Sequence, residues 1–257
     1  MKNCLLALLV LSLFACNSET VKLVPDLTDN LATYVEVNPE FSLVTDSLIA
    51  CAAGGQSQYL TDDEMPISIL FYPEGDASEF LYFETDDINV NPDDLANYQR
   101  VDLPDEPLFN GYLHRFKRAA LNENTWCRVS FVKDGNLHIS NPIRIKYDDF
   151  PTEYNAEVLD IDQQTPLSPV FQWQDGRTPQ NQIYFQIVLD ENDNLISGTY
   201  TFDLQFQFYD LSNVVLNISP TSPTPSLLNQ EQYSFVMLGV SIDSWVNLIV
   251  EGDFETL

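Results

Sequence analysis

The sequence predicts an all-β protein built as two successive β-sandwiches. Three observations carry that expectation. Between about residue 41 and the end, apolar residues come in short runs of four to eight, separated by Asp, Asn, Gly, Pro and Ser. No stretch sustains a period of 3.6 residues. Residues 202–208 alternate, with Phe202, Leu204, Phe206 and Phe208 on one face and Asp203, Gln205 and Gln207 on the other, the pattern of a strand with one dry side.

The first sandwich is expected over 41–148. Its runs are Leu48 to Ala53, Ile67 to Tyr72, Phe80 to Phe83, Cys127 to Val132 and Ile143 to Tyr147. Pro73-Glu74-Gly75-Asp76 carries tight-turn chemistry, and Lys133-Asp134-Gly135-Asn136 is a hairpin signal. Pro92-Asp93-Asp94 can open a short helical turn running to about Tyr98. The acidic, proline-bearing stretch 149–155 reads as a linker. The second sandwich, 156–257, has runs at Val170 to Trp173, Ile183 to Leu189, Tyr200 to Tyr209, Val214 to Ile218, Tyr233 to Val240 and Trp245 to Val250, with Pro220 to Pro225 as a crossing loop.

Ahead of both lies an address. Lys2 is followed by an apolar region from Leu5 to Phe14 and closed by Leu13-Phe14-Ala15-Cys16, the layout of an export signal over 1–15. The region falls well short of the roughly 20 apolar residues that span a bilayer. It resembles the lipobox of bacterial lipoproteins, which implies that Cys16 becomes the lipid-bearing N-terminus and that 16–40, polar and without periodicity, is a tether.

Composition narrows the partners. The 257 residues include 11 Lys and Arg against 39 Asp and Glu, a net charge of −28, and loss of Lys2 with the signal makes it more negative still. Such a field repels phosphate backbones, so nucleic acid is not an expected partner, and membrane attachment falls to lipid instead of a basic patch. With 44% hydrophobic and 12% aromatic residues the chain nevertheless folds. Cys4 leaves with the signal, so only Cys51 and Cys127 remain to pair, as a disulfide or as two buried thiols.

Residues 156–257 resemble a fibronectin type III or immunoglobulin-like domain. Trp173 falls where such domains carry a core tryptophan, and Leu227 to Tyr233 resembles the tyrosine corner, with Asn229 where the family often has proline. Residues 41–148 look like a fainter copy, with Leu121 to Trp126 as a corner bearing tryptophan and Ser140-Asn141-Pro142-Ile143 at the last strand. The resemblance implies that Cys51 and Cys127, if on facing strands, bridge two sheets. It implies a scaffold and no particular activity. The whole layout looks like lipoproteins of the Bacteroidota.

Motifs of hydrolytic or metal chemistry are missing: there is no HExxH, no GxSxG, and only His114 and His138. Asp190, Asn192 and Asp193 form an oxygen-rich string suited to a structural calcium, or to a strand-connecting turn. No other cofactor is expected. Eight of the 11 basic residues fall between Arg100 and Lys146. Arg115, Lys117 and Arg118 with Tyr112 form a candidate anion or glycan face, or else pair with nearby acids. These readings together point to a non-enzymatic, lipid-anchored protein of the cell envelope, on the periplasmic or surface side of the outer membrane, binding a protein or glycan. The alternative is a carbohydrate-capture lipoprotein of a polysaccharide-uptake system, whose mark is two or more coplanar exposed Trp or Tyr side chains.

Overall fold

The structure, a computed structural model, describes residues 29–45, 49–55, 57, 60, 65–73, 75–121, 123–146, 149–178 and 180–257. The export signal and Cys16 lie outside them. The described chain is all-β: one short helix, a few 3₁₀ turns and strands that assemble into four sheets.

The first half contributes α1 (Leu31–Val37), β1 (Ser42–Thr45), β2 (Ala50–Gly54), β3 (Ile67–Phe71), β4 (Ser78–Thr85), β5 (Tyr98–Arg100), β6 (Asp105–Leu108), β7 (Leu113–Arg118), β8 (Thr125–Lys133), β9 (Asn136–Ile139) and β10 (Ile143–Ile145). Sheet I has the order β1-β9-β8-β4-β5, with β10 also on β8, and sheet II the order β2-β3-β7-β6. Taking β2 to β9 in turn, this is the A-B-E-D sheet against G-F-C-C′ of the immunoglobulin sandwich. The Asp134-Gly135 hairpin forms as expected between β8 and β9, both residues taking the positive φ that such a turn demands.

The second half contributes β11 (Glu153–Tyr154), β12 (Leu159–Asp162), β13 (Val170–Trp173), β14 (Asn181–Asp190), β15 (Leu195–Thr201), β16 (Gln205–Gln207), β17 (Val214–Ile218), β18 (Gln232–Ser241) and β19 (Val246–Glu255). Sheet III has the order β11-β19-β18-β14-β15-β17 and sheet IV the order β12-β13-β16. Leu227 is buried and the Leu228 amide donates to the Tyr233 hydroxyl at 2.9 Å, the contact expected of a tyrosine corner. Trp173 is buried beside Tyr184 and Phe235.

Several expectations change. Residues 200–209 are not one strand. The chain leaves sheet III after Thr201 and rejoins sheet IV at Gln205, so the alternation is broken where it crosses: Phe206 and Phe208 are buried, while Phe202 and Leu204 are exposed. The first half has no tryptophan corner. Trp126 lies on the outward face of β8, its indole donating to the Ile88 carbonyl at 3.0 Å. Part of the expected tether is folded: Asn30 caps α1 by accepting from the Ala32 and Thr33 amides, and Leu31 and Tyr34 bury against Phe83, Tyr98 and Ile139 of sheet I. The turn expected after Pro92 is a single 3₁₀ turn at Leu95–Asn97, capped by Asp94.

The four sheets stack in the order I, II, III, IV. Ile67, Ile69 and Phe71 of β3 face sheet I, while Leu70 between them faces sheet III. In β18, Phe235 and Met237 face sheet IV, and Val236 and Leu238 face sheet II. Both middle sheets are therefore buried on two faces, and the sandwiches share an apolar interior instead of hanging as separate beads.

Candidate functional site

The junction between the sandwiches is built around the turn from β18 to β19. Trp245, carried by the second half, is fully buried in the core of the first, among Ala52, Ile143 and Phe116. Its indole donates to the Phe150 carbonyl at 2.9 Å, and the Ala52 amide donates to the Ser244 carbonyl at 2.9 Å. Lys146, nearly buried, meets Asp243 at 3.0 Å. Thr152 accepts from the Gly54 amide at 2.9 Å and donates to the Val246 carbonyl at 2.8 Å, and the Tyr154 hydroxyl donates to the Gly54 carbonyl at 2.7 Å. The next residue has to be glycine: Gly55 sits at φ 96°, and a Cβ there would lie 2.9 Å from the Tyr154 ring.

Beside this junction a groove of about 410 Å³ opens where sheet III extends past β2, the edge of sheet II. Its floor is Cys51, Ile183 and Phe185 with Tyr200 and Val240. Phe202, 65% exposed, and Ile242, 87% exposed, stand at its rim, with Leu216 along one wall. Asn141, Gln182, Ser241 and Ser244 are polar members, and among the described residues that line it none is charged. Burial raises the Cys51 thiol to about 12 and lifts the Tyr200 hydroxyl well above its ordinary value, so the floor stays neutral at physiological pH. A groove of this size and lining, with a few convergent polar groups, has the make-up of a binding site for an uncharged apolar group.

The residues singled out from sequence go elsewhere. Cys51 and Cys127 are free thiols. The bridge is absent because the two side chains lie on opposite sides of sheet II, Cys51 packing toward sheet III and Cys127 into the core shared with sheet I. Burial pushes the Cys127 thiol far up as well. Asp190 spends its carboxylate within its own hairpin, accepting from the Asn192 amide and from the amide and side chain of Asn194, while Asp193 takes a positive φ at the turn. Among the described residues, no three His, Cys, Asp or Glu side chains gather as a metal cluster would require.

The basic run forms β7, and its cations meet acids on neighbouring β6 and on β4 of sheet I. Arg115 and Lys117 both reach Glu106 at 3.0 Å, and Arg118 reaches Glu84 at 3.0 Å. Burial pushes the Glu106 carboxyl up, but hydrogen bonds from Lys117 and Arg115 outweigh it and hold the group below its ordinary value. Tyr112 lies apart from these pairs, against the core between sheets II and III. His114 pairs with Asp105 at 3.0 Å and packs on Phe80, and His138 stacks on Phe131. No described Trp or Tyr is exposed.

Sequence reasoning missed the groove and the wedge beneath it. The available signal was the near-continuous apolar character of Ile183 to Leu189, broken only by Gln186, and of Phe235 to Val240. In an antiparallel sheet, such runs mean burial on both faces.

Fold and groove together define a class: a pair of immunoglobulin-type sandwiches fused face to face, with an uncharged cleft at the seam. No known family and no curated protein matches the chain. Among solved structures, it is similar to the first three fibronectin type III domains of chicken CNTN1, at 11% identity and a TM-score of 0.31, over 84% of this chain and 68% of that one.

Proposed function

We propose that this chain is a non-enzymatic binding scaffold of the cell envelope, held to the outer membrane by lipid on Cys16, that recognises a protein partner through the groove between its sandwiches. The observation that carries the reading is the absence of charge among the described residues of the groove lining in a chain of net charge −28. The net field of the chain repels anions and attracts cations. In this cleft recognition is handed to apolar contact, with Phe202 and Ile242 projecting as anchors for an uncharged, apolar segment of a partner. Anchoring follows from acyl chains on Cys16, each buried methylene contributing about 0.8 kcal/mol.

Two measurements test the reading. An uncharged naphthylamine dye added to the full chain should brighten in the groove, and Ile242→Ser with Ile183→Ser should weaken its binding about tenfold or more. An unchanged affinity removes the groove from the account. Separately, Cys16→Ala should move the protein from the membrane to the soluble fraction, and a variant that stays with the membrane removes the lipid anchor.

A further inference from the structure

From Leu211 to Gln230 the chain runs 20 residues without a charge, although 19% of the sequence is Asp, Glu, Lys or Arg. The first part of that stretch, through β17 and the loop after it, folds back toward Tyr209, which follows β16. Between them lies a second cleft, of about 510 Å³, within the roughly 300–1,000 Å³ of small-ligand sites. None of the described residues lines both this cleft and the groove at the seam. The second cleft is shaped before any ligand arrives. Pro220 and Pro223 fix φ in the loop. Within it the Ser219 hydroxyl donates to the Thr221 carbonyl at 2.7 Å, the Thr221 hydroxyl to the Pro223 carbonyl at 2.9 Å, and the Thr224 hydroxyl to the Ser219 hydroxyl at 2.9 Å. Across the cleft the Tyr209 hydroxyl donates to Asn217 Oδ1, and the Tyr209 ring is braced on Phe206 and Phe208.

This wiring sorts the polar groups by what they can still do. Thr221, Thr224 and Tyr209 each spend their one hydroxyl proton inside the protein and keep lone pairs with which to accept. Asn217, exposed on β17, accepts through Oδ1, which leaves both hydrogens of its Nδ2 to donate, and among the described residues none takes them. Ser222, also exposed, adds a hydroxyl that can turn either way. Acceptors and donors therefore alternate around a patch of apolar surface from the Tyr209 ring, Leu211 and Pro223, and none of the described lining residues is charged.

We propose that this cleft is a binding site for the ring of a neutral sugar. The class of ligand follows from what the lining can satisfy. An anion needs a cationic side chain or a charge-assisted donor set, which the described lining lacks, and the net charge of −28 opposes its approach. A cation would seat on carboxylates, and none lines the cleft among the described residues. A wholly apolar ligand would strip water from the Asn217 amide and the hydroxyls and put nothing in its place. A sugar ring meets all of these demands. Each of its hydroxyls donates and accepts at once, so it can give a proton to Thr221 or Thr224 while taking one from Asn217. Its C–H groups cover the Tyr209 ring and Pro223. Because the loop is already held by its own hydrogen bonds, little ordering is left to oppose binding. The site stands apart from the protein-binding groove and does not depend on it.

A glycan array of neutral, sulfated and sialylated oligosaccharides tests it, read with the full chain in a detergent that has no sugar headgroup. Hits are confirmed with the free oligosaccharide by saturation-transfer NMR. The wild type should bind members of the neutral set in preference to the charged ones, with an affinity that salt leaves unchanged. Asn217→Ala removes both donors from an exposed position, so it should weaken binding about fivefold or more with circular dichroism and melting unaltered. Tyr209→Phe keeps the ring but frees Asn217 Oδ1, and should also weaken binding. A wild type that binds no neutral glycan overturns the proposal. So does a preference for sulfated or sialylated glycans, or an affinity that survives Asn217→Ala. Neither substituted residue lines the groove, so dye binding by the Asn217→Ala chain separates failure here from failure of the groove.

Discussion

Replacing Trp245 with alanine probes the fusion of the two sandwiches most directly. Trp245 is 0% exposed, belongs in sequence to the second half and packs in the core of the first. Removing a buried indole costs about 3–5 kcal/mol through lost transfer energy and the cavity left behind. The Phe150 carbonyl also loses its donor, which adds roughly 1 kcal/mol if water does not replace it. For a chain of this size, about 2–4 °C is lost per kcal/mol, so the midpoint should fall by roughly 8–24 °C. The assay uses urea and thermal unfolding followed by fluorescence, with Trp126 reporting on the first sandwich and Trp173 on the second once Trp245 is gone. Each is isolated by replacing the other with phenylalanine. Both reporters should lose stability together, because the cavity opens in a core that supports sheet II, and sheet II is one wall of the interior shared with sheet III. The reasoning is refuted if Trp245→Ala costs less than about 1 kcal/mol, or if only one of the two signals moves.

Tyr233→Phe removes the acceptor of the Leu228 amide while keeping the ring, and should cost about 1 kcal/mol in urea unfolding. Cys127 should resist a thiol reagent at pH 8 in the native state and react on denaturation, as mapped by peptide mass spectrometry, whereas Cys51, half-buried at the groove floor, should label slowly because its thiol is raised to about 12. Rapid native labelling of Cys127, or a Cys51–Cys127 disulfide peptide, would contradict the packing. Glu106 has a folded-state pKa below its unfolded value, so its contribution is present above the ordinary glutamate range and lost as pH falls through the lowered value. Glu106→Gln should therefore lower stability at pH 7 and flatten its decline on acidification; an unaltered acid-unfolding curve would show that Arg115 and Lys117 gain nothing from the pair.

Local chemistry was legible wherever a residue type leaves its backbone or partner little choice. Asp134-Gly135 specified a hairpin because only such residues accept positive φ readily, and Leu227 with Tyr233 specified a corner. Trp173 was legible as core. What misled was chemistry shared by different environments. The basic run at β7 has no strand-like composition, yet Leu113 and Phe116 dock it in sheet II, and Glu106 and Glu84 neutralise the cations. The alternation through Phe202 and Leu204 is a true strand pattern at a place where the chain is changing sheets, and so both side chains are left at the surface.

By itself, the sequence determined an all-β chain, its strand-rich halves, several of its turns and the surplus of acid that limits its partners, because periodicity, φ preference and charge are properties of neighbours along the chain. Only the tertiary structure decided that the halves share an interior, that Trp245 crosses from one into the core of the other, that the two thiols lie back to back across one sheet, and that an uncharged groove opens at the seam. Those facts depend on which of two apolar faces meets which. An apolar residue carries the same preference for leaving water whichever neighbour covers it, so the choice is made by shape and packing among elements far apart in the chain.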